Sequence, residues 1–133
     1  MEFETKVQFL TQPEHNRRTI VISDIHGHRA WLEKLLKKVD FSEKDILIIV
    51  GDMIEKGSES LNTIRYIMEL CEKYTVYPMM GNVDLWRIQM LLTEDGSLDQ
   101  ELYETNERMR QYWKATFFQD LCREAGVSVK TPE

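Results

Sequence analysis

Ile46-Leu47-Ile48-Ile49-Val50-Gly51-Asp52 places five apolar residues in a row, all but Leu47 β-branched, and stops them with a glycine and an acid. A run this short and this continuously apolar reads as a parallel strand buried on both faces, because a strand with one wet face would alternate. Upstream, Thr19-Ile20-Val21-Ile22-Ser23-Asp24 has the same form. Downstream, Thr75-Val76-Tyr77-Pro78-Met79-Met80 leads into Gly81-Asn82. It is a weaker strand, since Pro78 cannot donate to a central ladder.

Helical patterns fill the gaps. Trp31, Leu32, Leu35, Leu36 and Val39 recur at helix spacing opposite Glu33, Lys34, Lys37 and Lys38. Leu61, Ile64, Ile67, Met68 and Cys71 form a second stripe, whose start Ser58 or Ser60 could cap. Asp24 lies 28 residues before Asp52, and Asp52 lies 30 before Asn82, each interval one βαβ unit. The expected fold is therefore α/β, a βαβαβ parallel sheet with flanking helices. Right-handed crossovers would line the strand ends along one edge. Beyond Asn82, Leu85 to Leu92 predicts a short helix and Glu94-Asp95-Gly96 a turn. Ser97 with Gln100 reads as a capping box. Met109, Trp113, Phe117 and Leu121 then predict a helix that Gly126 would stop.

Composition narrows the function classes. Of 133 residues, 42% are hydrophobic and 30% charged, as in a globular domain. A net charge of −6 argues against general nucleic-acid binding, which depends on lysine and arginine neutralising phosphates. It leaves a phosphate ester possible as substrate, because bound cations can supply positive charge locally. Cys71 and Cys122 are far apart and have no CxxC spacing, so a zinc knuckle or disulfide framework is not expected. The stretch Met1 to Thr11 has no apolar core of a signal peptide, and no run approaches the roughly 18 residues of a membrane span. A soluble, cytoplasmic chain is the expectation.

Ligands of open α/β sheets bind outside the carboxyl ends of the strands. Asp24 and His26 follow the first strand, Asp52 the second and Asn82 the third. Oxygen donors mixed with imidazole suit divalent manganese, iron or zinc. A carboxylate on the middle strand could bridge two such ions about 3.5–4 Å apart. His28 reads as a helix start or an outer group rather than a ligand, and the tryptophans as core or interface packing. The absence of a GxGxxG after the first strand argues against a dinucleotide-binding domain.

Ser23-Asp24-Ile25-His26-Gly27-His28, Gly51-Asp52-Met53-Ile54-Glu55-Lys56-Gly57 and Gly81-Asn82-Val83-Asp84 resemble, in order, the DxHG, GDxxxRG and GNH(E/D) motifs of the calcineurin-like metallophosphoesterases. The likeness is greatest to the branch of phosphoprotein phosphatases and symmetrical diadenosine-tetraphosphate hydrolases. It implies a four-layer fold of which residues 1–133 form the N-terminal part, with a motif-bearing core at about 19–84 and a helical segment at about 85–126. It implies Asp24 and His26 on a first metal, Asp52 bridging, and Asn82 on a second. Lys56 and Asp84 would act in catalysis, on a phosphorylated small molecule, nucleotide or phosphoprotein.

Three departures qualify the implied activity. Lys56 stands where the family commonly has arginine, and it offers a point charge instead of a bidentate fork. Val83 replaces the histidine that protonates the leaving group, which leaves Asp84 without that partner. The family also takes two further histidines from later in the domain, whereas this chain has only His15, His26 and His28. The competing expectation is a non-catalytic fragment or binding module that keeps the fold. A half-domain would also expose a sheet edge and apolar surface, favouring self-association.

Overall fold

The computed structural model describes residues 17–91 and 116–126. In chain order the elements are β1 (Thr19–Ile22), α1 (Arg29–Lys38), β2 (Ile46–Val50), α2 (Ser60–Lys73), β3 (Thr75–Met79), α3 (Asn82–Leu91) and α4 (Thr116–Ala125). The three strands form one parallel sheet in the order β1-β2-β3. All three predicted strands are present, with β2 central. Pro78 pairs opposite Ile49 on β3, which is an edge among the described residues, so its missing N–H costs the ladder nothing.

Leu47 and Ile49 point to one face of β2 and are fully buried against Leu32 and Leu36 of α1 and Ile67 and Leu70 of α2. Burying each such side chain contributes about 1.5–3 kcal/mol. Both crossovers step the same way across the sheet, so both helices share this face. The expectation of burial on both faces therefore holds only in part, with Ile46 on the other face 6% exposed and Ile48 half-buried. On the opposite face Val21, Val50 and Met79 are 59%, 45% and 46% exposed, with nothing covering them among the described residues.

The helix faces also differ from their predicted stripes. Leu32 and Leu36 are buried, but Leu35 and Trp31 on the neighbouring ridge are not. Trp31 and Trp86 are 74% and 57% exposed, which removes both from the core. In α2 the buried stripe is Ser60, Thr63, Ile67 and Leu70, while Met68 and Cys71 face outward. Small hydroxyl residues let the start of α2 approach the glycine loops closely, and an apolar count cannot register that. Nor does Ser58 or Ser60 cap α2. The Ser60 hydroxyl accepts the Glu55 N–H, and the first turn of α2 instead gives the Asn62 N–H to Glu124 of α4 at 2.7 Å. A carboxylate there also complements the helix dipole.

His28 does precede α1, as predicted. Gly126 ends α4 with φ 67, the left-handed stop expected of it. The predicted turn at 94–96, the Ser97–Gln100 box, Met109 and Trp113 lie outside the described residues.

The amino ends of the strands are fastened by arginines. Arg17 donates to the Asp45 carbonyl and to Thr75 Oγ1, and Arg18 pairs with both Asp45 carboxylate oxygens at 2.9 Å. The Arg18 bond, then the Ser42 amide, hold the Asp45 carboxyl at about 2. The same pairing raises Arg18. A carboxyl lower in the folded than in the unfolded chain contributes stability that is complete above its unfolded value of about 3.9 and lost as pH falls. Asp45→Asn is therefore expected to flatten the decline of the urea midpoint between about pH 4 and the folded value of about 2. An unchanged acid limb would refute that assignment.

Candidate metal centre

Three loops leave the carboxyl ends of the strands; backbone hydrogen bonds zip the first two together, and the Asp52 and Asp84 side chains tie in the third. The Asp24 N–H meets the Gly51 carbonyl at 3.3 Å, His26 N–H the Asp52 carbonyl at 2.9 Å, and Gly27 N–H the Met53 carbonyl at 2.8 Å. The Gly57 N–H returns to the His26 carbonyl at 2.8 Å. These turns require unusual backbone. Asp24, His26, Asp52, Glu55 and Lys56 all have φ between 48 and 71. The left-handed region costs an L-residue roughly 1–2 kcal/mol. Concentrated strain of this kind marks sites where geometry serves function.

Glycine makes the close approach possible. A Cβ on Gly81 would strike the Asp52 amide and Asp52 Oδ1, and one on Gly51, which has φ 71, would strike Gly81. The loops after β2 and β3 therefore touch backbone to backbone beside Asp52.

Asp24, His26 and Asp52 each turn one donor atom into a common space, all within 4.8 Å of one another. His26 Nε2 lies 3.5 Å from Asp24 Oδ1 and 3.9 Å from Asp52 Oδ2. His26 is buried, and its Nδ1 sits 3.0 Å from the Ile54 carbonyl. A carbonyl can only accept, so Nδ1 donates to it, and in the neutral ring Nε2 then has its lone pair toward the carboxylates. The Ile54 carbonyl thus orients the ring with Nε2 turned toward Asp24 and Asp52. Two carboxylates and a neutral imidazole suit a divalent cation such as manganese, iron or zinc.

The other predicted residues are distributed around this trio. Asn82 opens α3 and is exposed. The helix begins three residues before the predicted one, so its first turn abuts the site. The next amide, Val83 N–H, donates to Asp52 Oδ1 at 3.1 Å. Lys56 Nζ lies 2.9 Å from His26 Nε2.

Asp84 is 4% exposed and far from partnerless. Its Oδ1 accepts the Met53 and Ile54 N–H groups at 3.0 and 3.2 Å, and its Oδ2 accepts Gly81 N–H at 2.9 Å. Sequence reasoning missed this backbone role, as it missed the Ile54 carbonyl behind His26. The glycines at 51 and 81 were the available signal that backbones meet here. Beside Asp24 a cleft of ≈ 510 Å³ runs between β1 and α1, bordered by Ile22, Trp31 and Leu35.

The calcineurin-like phosphoesterase family profile matches residues 17–128, most of the chain and all three site loops. The chain belongs to the calcineurin-like phosphoesterase family. It is 46% identical over 68 residues to a symmetrical bis(5'-nucleosyl)-tetraphosphatase of Shewanella loihica, covering 50% of this chain and 24% of that one. It is 33% identical over 92 residues to the protein of the same name in Coxiella burnetii, covering 68% of this chain and 30% of that one. A crystal structure of a candidate diadenosine tetraphosphatase superposes with a TM-score of 0.52 at 36% identity, covering 59% of this chain and 34% of that chain. The matched segments thus span less than a third of these sequence relatives. Family membership implies divalent metals, which agrees with the donor set at Asp24, His26 and Asp52. Among the described residues, no helix is long and apolar enough to cross a membrane.

Proposed function

We propose that in the intact protein these loops form part of the active site of a metal-dependent hydrolase of phosphate esters or anhydrides. A dinucleoside tetraphosphate is the substrate class best supported by the relatives' names. The observation that carries the reading is the convergence of Asp24, His26 and Asp52 within 4.8 Å at the sheet's carboxyl edge.

In this reading Asp24, His26, Asp52 and Asn82 would together hold two divalent cations, with Asp52 placed on the middle strand between the other loops. Manganese, iron or zinc bound there would supply Lewis acidity and an activated water. The protein's own groups orient and steady. The Ile54 carbonyl holds the His26 ring, the Val83 amide holds Asp52, and Asp84 holds the loops that carry both. Lys56 offers a positive charge to a phosphoryl oxygen.

Manganese-dependent formation of ADP from diadenosine tetraphosphate by the wild-type chain is the direct test. No hydrolysis of it or of p-nitrophenyl phosphate at saturating manganese would refute the reading for this chain.

Val83 makes the reading sharper. Its side chain cannot transfer a proton, and general acid catalysis is typically worth about 10²–10⁴-fold. The cost falls on poor leaving groups, since an aryl oxide departs without help. Val83→His is therefore expected to raise kcat for an alkyl phosphate by about tenfold or more while changing p-nitrophenyl phosphate little. Equal gains on both substrates would contradict a leaving-group role at position 83.

A further inference from the structure

The His26 ring has two nitrogens and both are engaged. Nδ1–H donates to the Ile54 carbonyl, so Nε2 has one lone pair to give. That lone pair receives the Lys56 ammonium at 2.9 Å. Nε2 is also the atom that faces Asp24 Oδ1 and Asp52 Oδ2. One lone pair cannot serve a lysine N–H and a divalent cation together.

The backbone brings Lys56 to this position. Glu55 and Lys56 both adopt left-handed φ, at 71 and 67, and the adjoining Gly57 N–H bonds the His26 carbonyl at 2.8 Å. A Cβ on Gly57 would strike the His26 and Gly27 carbonyls, so the two loops are in direct contact at this point. The side chain beyond is mobile by nature. Lysine carries a compact ammonium on a flexible stem with rotatable donors, whereas a guanidinium is a rigid planar fork. The ammonium can aim at a single lone pair and can also swing away from it.

We propose that Lys56, an exposed residue, is a displaceable cation that the chain itself supplies to His26. A divalent ion entering between Asp24, His26 and Asp52 takes Nε2 and frees the Lys56 ammonium for an anionic oxygen of the substrate. Metal entry thereby arms the phosphate-binding charge. The inference rests on the metal-binding reading above.

The test uses the full chain, manganese alone as ligand, and two readouts. In calorimetric titration, Lys56→Met should bind manganese at least about tenfold more tightly than wild type, because a competing positive charge a few ångströms away is gone. In acetic anhydride labelling of wild type read by mass spectrometry, Lys56 should become several-fold more reactive at saturating manganese, while exposed Lys34 on α1 stays constant. Flat Lys56 labelling with manganese bound overturns the displacement, even if Lys56→Met binds more tightly, since charge repulsion alone would explain that gain. Equal affinities of the two proteins overturn it too, and leave the metal site standing. If neither protein binds manganese at millimolar concentration, the inference and the metal-binding reading fall together.

Discussion

Asp52→Asn is expected to lower manganese-dependent hydrolysis of p-nitrophenyl phosphate by at least about 10²–10³-fold while leaving the metal-free melting temperature nearly unchanged. The reason lies in how the two oxygens are divided. Oδ1 accepts the Val83 N–H at 3.1 Å, and Oδ2 faces His26 Nε2 at 3.9 Å. Asparagine has one carbonyl oxygen. Kept on the Val83 amide, it presents NH₂ to the cation; turned the other way, it sets NH₂ against a backbone N–H. Either arrangement removes a charge and a lone pair from the centre, and it does so without changing the side chain's size. A thermal melt with and without manganese separates the two effects. The wild type should gain stability from the metal, and the variant should not. Retention of activity within about tenfold of wild type would dispose of Asp52 as a shared ligand.

Asp84→Ala should be the most destabilising change at the site. Asp84 is buried and accepts three backbone N–H groups from two loops, at 2.9 to 3.2 Å. Hydrogen bonds to a charged group are worth about 1.5–3 kcal/mol each, and orphaned buried donors add a desolvation penalty. A loss of about 3–5 kcal/mol is expected, a large part of a small domain's stability. The damage should reach the residues proposed to bind metal. Asp84 fixes the Ile54 amide, and the carbonyl of that same residue holds His26 Nδ1 at 3.0 Å. Manganese affinity should therefore fall even under conditions where Asp84→Ala stays folded. Asp84→Asn, which keeps one acceptor oxygen, should lose less of both. Urea unfolding and calorimetry measure the two quantities. A loss under about 1 kcal/mol with unaltered metal affinity would show that the three bonds contribute little.

The strands β1 and β2 were legible because their runs are short, β-branched and end at an acid, and the weaker β3 because its spacing fits one more helix before Gly81-Asn82. Asp24, His26 and Asp52 were legible as a group for the same reason, since parallel strands bring their carboxyl ends to one edge. What escaped the sequence was backbone and small-residue chemistry. Nothing in Met53-Ile54 says that its amides point at Asp84 or that the Ile54 carbonyl orients an imidazole 28 residues earlier. Ser60 was read only as a cap because its burial serves close approach to Gly27, and a hydrophobic stripe does not measure that. Trp31 was expected in core or interface packing; the face of α1 it occupies lies one ridge away from Leu32 and Leu36, and its exposure removes the core half of that expectation. The capping of α2 by Glu124 joins residues 62 apart in sequence, beyond any local signal.

In the proposed reading Asp24, His26 and Asp52 together hold a divalent cation. Anomalous diffraction at the manganese edge, from crystals of the chain grown with manganese, tests it most directly. A peak is expected within about 2.0–2.3 Å of His26 Nε2 and of carboxylate oxygens of both Asp24 and Asp52, with the Lys56 ammonium moved off Nε2. A peak elsewhere, or none at millimolar manganese with Lys56 still bonded to His26, would contradict it.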